Sequence, residues 1–293
     1  MFETIAQNIV SGVLVGSLYG LAALGLSLTF GVLKILNVAH GELIMLGGYA
    51  AFWAFNRFGI DPFLSLLIVI PALFGVGWLL HTGLFSRVVK FDEEHRIKNS
   101  LLLGFGLTLV LQSLAIQLWT ADERSITTEY ATASLEVLGV RFPIIRLTGL
   151  GISLVAVVGM ELFLNRSYWG KAIRATAEDW QTAALTGIDI KKTYLLTFAL
   201  GSALAGVAGA MVSVGYSVSP IIGLQWTLKA LIVIVLAGLG SMWGTFLGGI
   251  LLGVTESLSA YQFGGEYREL VGIIIFLIIL SVRPQGLFGG KRE

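Results

Sequence analysis

Two blocks of this sequence run without a charged residue for longer than a bilayer is thick. None of Asp, Glu, Lys or Arg occurs from Asn99 to Ala121, nor from Thr193 to Leu228. About 20 apolar residues at about 1.5 Å rise each cross a hydrocarbon core of about 30 Å. A helix satisfies its own backbone donors and acceptors, which is the condition for crossing a medium without water. Strands of a membrane barrel would be shorter and would alternate with period two; these blocks do not alternate. The whole chain has the same character: 293 residues, 56% hydrophobic, 13% charged, mean hydropathy +0.85. A water-soluble domain of this size would need more charge on its surface. The expected fold is an all-α polytopic membrane protein, a single transmembrane domain over residues 1–293.

Apolar spans are read at 9–33, 38–56, 62–80, 99–119, 143–164, 193–215, 226–240, 244–260 and 268–283. That makes about eight to nine transmembrane or re-entrant helices. The connections set the expected orientation. Residues 81–98 carry Arg87, Lys90, Arg96 and Lys98, residues 165–192 carry Arg166, Lys171, Arg174, Lys191 and Lys192, and the tail carries Arg283, Lys291 and Arg292. The positive-inside rule places all of these in the cytoplasm. The connection 120–142 carries Asp122, Glu123, Glu129 and Glu136, and is expected outside. The region 226–260 must then begin and end outside, as two short helices meeting at the GLGSMWG turn. The N-terminus is expected outside as well. It lacks the basic leader of a signal peptide, so the first apolar segment is expected to stay in the mature chain.

There is no cysteine, which excludes disulfides and thiolate chemistry. The net charge is +1, which gives no field to recruit nucleic acid. The phosphate-loop pattern G-x-x-x-x-G-K-[ST] is missing, as is H-E-x-x-H, and His40, His81 and His95 are scattered. No catalytic constellation, metal site or bound cofactor is expected.

One hydrophilic segment stands apart. Lys171–Lys192 reads KAIRATAEDWQTAALTGIDIKK, with seven charges in 22 residues between two long apolar spans. Placed on one helix from Ala175 to Leu185, Ala175, Trp180, Ala183 and Ala184 fall near one face. Arg174, Glu178, Gln181 and Thr182 lie elsewhere, Asp179 is a further candidate contact, and Gly187 ends the helix. Small residues around one large aromatic suit insertion into a partner's groove. A connecting helix resting on the lipid headgroups is the alternative.

The segment resembles the loop by which permeases of bacterial ATP-binding-cassette (ABC) importers dock onto their ATPases. That loop has the pattern E-A-A, three residues, then Gly; here the register gives Gln181, Thr182, Ala183, then Gly187. More specific are NVAHGELIMLGGY (37–49), GKAIRATAEDWQTAALTGID (170–189), LAGLGSMWGTFLGG (236–249) and RPQGLFG (283–289). In this order, over nearly the whole chain, they resemble the branched-chain amino-acid importers, in particular their smaller, H-type permease. The resemblance implies a complex of this chain, a second related permease in a heterodimer, two ATP-binding subunits and a periplasmic binding protein. The location would be the bacterial inner membrane, with the C-terminus cytoplasmic. It implies that loop 165–192 is the coupling loop, that ATP is bound by partner subunits, and that this chain is not itself an enzyme. The same family branch moves urea, amides and small carboxylates, which remain alternative substrates. A stand-alone ion-coupled transporter is a further alternative, with Glu161, Glu256 and Lys229 as its only intramembrane candidates.

Two other groups are candidates for the gate or the pathway. NVAHGE (37–42) breaks the apolar pattern; Asn37 could cap the next helix, and His40 and Glu42 would sit toward the cytoplasmic end of the path. A hydrogen-bonded turn that fixes the break is the plainer reading. Lys229 and Glu256 are charges in neutral surroundings, expected in the outer half of the membrane on the two arms of 226–260. They are read either as a structural pair or as groups that meet a zwitterionic substrate. Trp119, Tyr130, Tyr216, Trp226 and Tyr261 suit an interfacial aromatic belt. MLGG (45–48) and FLGG (246–249) are a faint internal echo of the kind that repeats leave.

Overall fold

The computed structural model describes residues 2–128, 130–137, 139–238, 240–283 and 285–288. Glu129, Lys291 and Arg292, which entered the orientation argument, lie outside these. The chain is an all-α polytopic membrane protein. Among the described residues, five helical spans are long and apolar enough to cross a membrane. They are α1 (Phe2–Leu33), Leu66–Val88, α5 (Glu93–Trp119), α6 (Ile144–Arg166) and α9 (Ile190–Gly215). The second of these starts as α3 (Leu66–Leu80), loosens into a π-helical turn at His81–Phe85 and closes with the single turn α4 (Ser86–Val88). A sixth unit is the bent pair α10 (Ile222–Ala237) and α11 (Met242–Phe263), whose axes differ by 114°. Shorter helices complete the bundle: α2 (His40–Phe58) and α12 (Arg268–Val282). The only sheet among the described residues is an antiparallel hairpin of β1 (Ser134–Val137) and β2 (Val140–Pro143).

Hydropathy does not distinguish the centre from the rim, because the five spans all score 1.9 to 2.0. Burial does. The apolar windows of α1 and α9 are 78% and 83% buried, against 17% for α5 and 28% for α6. What separates them is side-chain size. In lipid the hydrophobic effect does not drive helices together, so close van der Waals packing has to, and small residues permit it. Along α1, Gly12 faces Gly253 and Val254, Gly16 faces Gly249 and Ile250, and Gly20 faces Phe246. As α1 descends, the partner residue number falls, so α1 and α11 are antiparallel. A methyl group on Gly12 would lie 2.6 Å from the Val254 Cα, so the backbones must part to admit one. Gly47 of α2 meets Gly206 of α9 in the same way.

The basic segments collect at one end of the bundle. Arg96 donates to the Leu33 carbonyl at 3.0 Å, which joins the foot of α5 to the foot of α1. Residues 89–93, 176–181, 190, 191, 194 and 195 border one cleft there. The tail returns to the same region: Leu287 N–H donates to Leu236 O at 2.9 Å and Phe288 N–H to Ala237 O at 2.8 Å. At the opposite end, Gln7 bonds both the N–H and the carbonyl of Arg141 in β2, and Tyr130 donates to Asp61 at 2.7 Å. This agrees with the grouping that the charge pattern gave.

Replacing Gly253 with Val is expected to cost at least about 1–3 kcal/mol of overpacking. Gly159→Ala, where nothing lies within 4 Å, should leave stability unchanged. Thermal unfolding of the detergent-purified variants checks the contrast; equal midpoints would mean that α1 and α11 are not held by close backbone approach.

Candidate functional site

The hydrophilic segment is a step rather than one helix. α7 (Tyr168–Glu178) starts at Ser167, whose hydroxyl accepts from Gly170 N–H at 2.8 Å. It ends at Asp179, where the backbone becomes extended (φ −149°, ψ 103°). α8 (Trp180–Leu185) follows at once. This corrects the expectation of continuous helix from Ala175 to Leu185. The cause is Asp179 itself: its carboxylate accepts from Gln181 N–H at 2.9 Å and from the Thr182 hydroxyl, which makes it the N-cap of a new helix. Both bonds favour the charged form, and the Thr182 hydroxyl does most to hold the Asp179 pKa below its ordinary value. Gly187 closes α8 with φ +90°, and Gly187 N–H and Ile188 N–H bond back to Ala184 and Ala183 carbonyls. Asp189 then caps α9 through Lys192 N–H at 3.1 Å.

The step divides the residues expected on one face. Trp180, Ala184 and Leu185 are exposed, Leu185 at 88%, whereas Ala183 is buried at 4%. Ala183 therefore packs inward, a correction to its expected place beside Trp180. Ala175, Glu178 and Gly187 are exposed. Arg174 is fixed by a polar chain that sequence reasoning did not find: it donates to Asn165 Oδ1 at 2.6 Å, and Asn165 donates to Glu161 at 2.8 Å.

Motifs far apart in sequence meet here. A small cavity of about 250 Å³ is bordered by Asn165, Ile173 and Arg174, by Ser27 and Gly31 of α1, and by Gly240–Trp243 of the α10–α11 turn. On its other side that turn receives the tail, where Gly286 lies against Gly238. The segments 170–189, 236–249 and 283–288 thus form one continuous structure at the basic end.

NVAHGE forms a helix break at mid-depth. After Leu33 the chain runs non-helically beside α5, with Leu36 N–H on Ser100 Oγ at 2.9 Å. α2 begins at His40, whose Nε2 lies 2.9 Å from Ala22 O. Ala22 lies 11 residues above Leu33, about 16 Å along a helix. His40 and Glu42 are therefore deep in the bundle and not at its cytoplasmic end as expected. The helix is capped by Ala39 with no side-chain bond, so Asn37 is not its cap; Asn37 contributes its carbonyl to His40 N–H at 3.1 Å instead. Thr227 of α10 stitches the break, accepting from Gly41 N–H at 2.9 Å and donating to Val38 O at 3.0 Å. Asn37, His40 and Glu42 are all buried.

The family profile described as the permease component of the branched-chain amino acid transport system matches residues 8–280. The chain belongs to that family. It is 31% identical to the high-affinity branched-chain amino acid transport system permease protein BraD of Pseudomonas aeruginosa, over 97% of this chain and 95% of the relative. It is 30% identical to the corresponding permease protein LivH of Salmonella typhimurium, with the same coverage. A probable branched-chain amino acid transport permease protein LivM of Methanocaldococcus jannaschii is 25% identical over 94% of this chain.

In this permease Lys229 and Glu256 form the expected ion pair across α10 and α11. The pair belongs to a larger cluster. Glu256 is fully buried and also accepts from Tyr19 of α1 at 3.0 Å and from Arg268 of α12 at 3.2 Å. Glu269 stands 4.0 Å from Lys229. Tyr19 and Arg268 were missed because nothing in the sequence says which helices adjoin.

Glu256→Gln is expected to cost about 3–5 kcal/mol, the range for one partner removed from a buried pair, because it strands Arg268 and leaves Lys229 only the more distant, exposed Glu269. Lys229→Gln should cost clearly less, since Arg268 still neutralises Glu256. Equal losses in detergent unfolding would contradict the arrangement. For the step, Asp179→Ala should speed hydrogen exchange at Gln181 and Thr182, while Asp179→Asn, which still caps, should not. Because the folded pKa of Asp179 is depressed, its contribution is present above the unfolded carboxylate pKa of about 3.9 and is lost as pH falls through the folded value. Protection of α8 should follow that sign.

Proposed function

We propose that this chain is the smaller permease of an ABC importer for branched-chain amino acids in a bacterial inner membrane. It pairs with a second related permease, and two ATP-binding subunits dock from the cytoplasm. A periplasmic protein delivers the substrate. The observation that carries the reading is the α7–α8 step, which stands at the basic end with an exposed aromatic and bears on α1, α6 and the α10–α11 turn at once. By the positive-inside rule that end, with the tail, is cytoplasmic.

Mechanically, the step suits transmission. ATP binding in the partners favours one of two permease arrangements through differential contacts with the exposed Trp180, Ala184 and Gly187. Ala183, Arg174 and Asn165 tie the step to the membrane helices, so displacement of the step moves the feet of α1 and α6. ATP stays with the partners, and no covalent chemistry falls to this chain. The path would run between the two permeases and alternate in access. Against an ion-coupled carrier stands the state of its candidate groups: Lys229 and Glu256 are bound to each other, and Glu161 is bound to Asn165. For the choice among leucine-like substrates, urea, amides and carboxylates, the support is that the relatives are named as branched-chain amino acid permeases.

Trp180→Asp and Ala184→Asp should abolish co-purification of the ATPases while the membrane fold, judged by detergent unfolding, is kept. ATPase retention at the wild-type level would sink the coupling role. Leucine uptake in vesicles by this chain alone, collapsing with a proton uncoupler, would sink the importer reading.

A further inference from the structure

At the basic end a cleft of about 950 Å³ separates the α7–α8 step from the feet of α3, α5 and α9. Thr176–Gln181 form one wall; Val89–Glu93, Arg96, Ile190, Lys191, Tyr194 and Leu195 are on the other. Trp180 in that first wall also belongs to the surface on which the ATPases are proposed to dock, whereas the exposed Leu185 lies outside the cleft.

His81 borders this cleft. It is buried, at 4% exposure, and its Nε2 has no hydrogen-bond partner among the described residues. Buried polar atoms are nearly always partnered, so an orphan calls for a ligand, an ion or water. The backbone presents it unusually, from the π-helical turn His81–Phe85, a form that favours functional positions. Its ring is held 5.7 Å from the Phe198 ring of α9.

The surroundings carry both signs of charge on an apolar base. Lys90 and Lys191 are exposed cations at the rim; Glu93 and Glu178 are exposed carboxylates. None of the four makes an ion pair among the described residues. Val89, Tyr194 and Leu195 supply the apolar side. A small molecule carrying a cation, an anion and an aliphatic group answers all three features, with imidazole Nε2 as a further polar contact.

We propose that this cleft is a cytoplasmic regulatory site for the transported amino acid itself, an inference that rests on the importer reading above. A ligand bridging the walls touches the coupling step and the membrane helices together. It stabilises the arrangement in which the cleft is open enough to hold it and opposes any that narrows it. Accumulated product thereby slows its own import.

The test uses the complete importer in ATP-loaded proteoliposomes, with binding protein and labelled leucine outside and the lumen either empty of leucine or saturated with it. Initial uptake and ATP hydrolysis are both read. In the wild type, lumenal leucine should lower both about fivefold or more, the lower end of typical allosteric coupling. His81→Leu and the rim variant Lys90→Ala/Glu93→Gln should run at the same rate whether the lumen is empty or loaded. The rim variant, exposed at both positions, decides the matter where His81→Leu fails to assemble. Wild-type rates indifferent to lumenal leucine overturn the proposal, as does inhibition that persists in both variants. A wild type that takes up no leucine with an empty lumen refutes the substrate reading instead, and the inference falls with it.

Discussion

The close antiparallel contact of α1 with α11 is the constraint on which the architecture hangs. In hydrocarbon a leucine gains little by leaving lipid for protein, so the bundle cannot be held by apolar surface alone. Glycines on both helices bring backbone against backbone and multiply weak dispersion contacts. With α1 fixed, the rest follows by attachment. Its end remote from Leu33 carries the β1–β2 hairpin through Gln7. Its middle carries the start of α2 through His40, and its foot holds α5 through Arg96.

Two deviations from plain transmembrane helix are stabilised by polar chemistry at the point of departure. Where α2 begins inside the bundle, its first N–H groups are satisfied by Asn37 O, Thr227 Oγ1 and Ala39 O. Irregular backbone at that depth is tolerable only when protein surrounds it, and here it does. Where α10 turns into α11, Ser241 caps the new helix through Gly244 N–H, and the tail takes the Leu236 and Ala237 carbonyls. Glu256 adds the remaining tie, linking α1, α10, α11 and α12 through Tyr19, Lys229 and Arg268.

The hydrophilic step gains its meaning from what stands behind it. Trp180 and Leu185 on a free surface would be a connecting helix like any other. Arg174 tied through Asn165 to Glu161, in a cavity shared with Ser27 and Gly240, makes the step a part of the membrane domain that reaches into water.

The chain's uncharged runs determined by themselves that it crosses a membrane many times as helices, because nothing else satisfies the backbone there. Its clustered Lys and Arg residues determined which connections share an end, because their charge survives any packing. The lone Lys229 and Glu256 were legible as a pair, because a buried charge demands a partner. Only the tertiary structure decided that α1 and α9 form the centre, since their hydropathy equals that of the lipid-facing spans. Only it decided that His40 lies at mid-depth, that Asp179 splits the hydrophilic segment, and that Tyr19 and Arg268 join Glu256. These depend on which helices adjoin, and adjacency between residues 19, 256 and 268 is set by packing shape, on which a hydropathy pattern is silent.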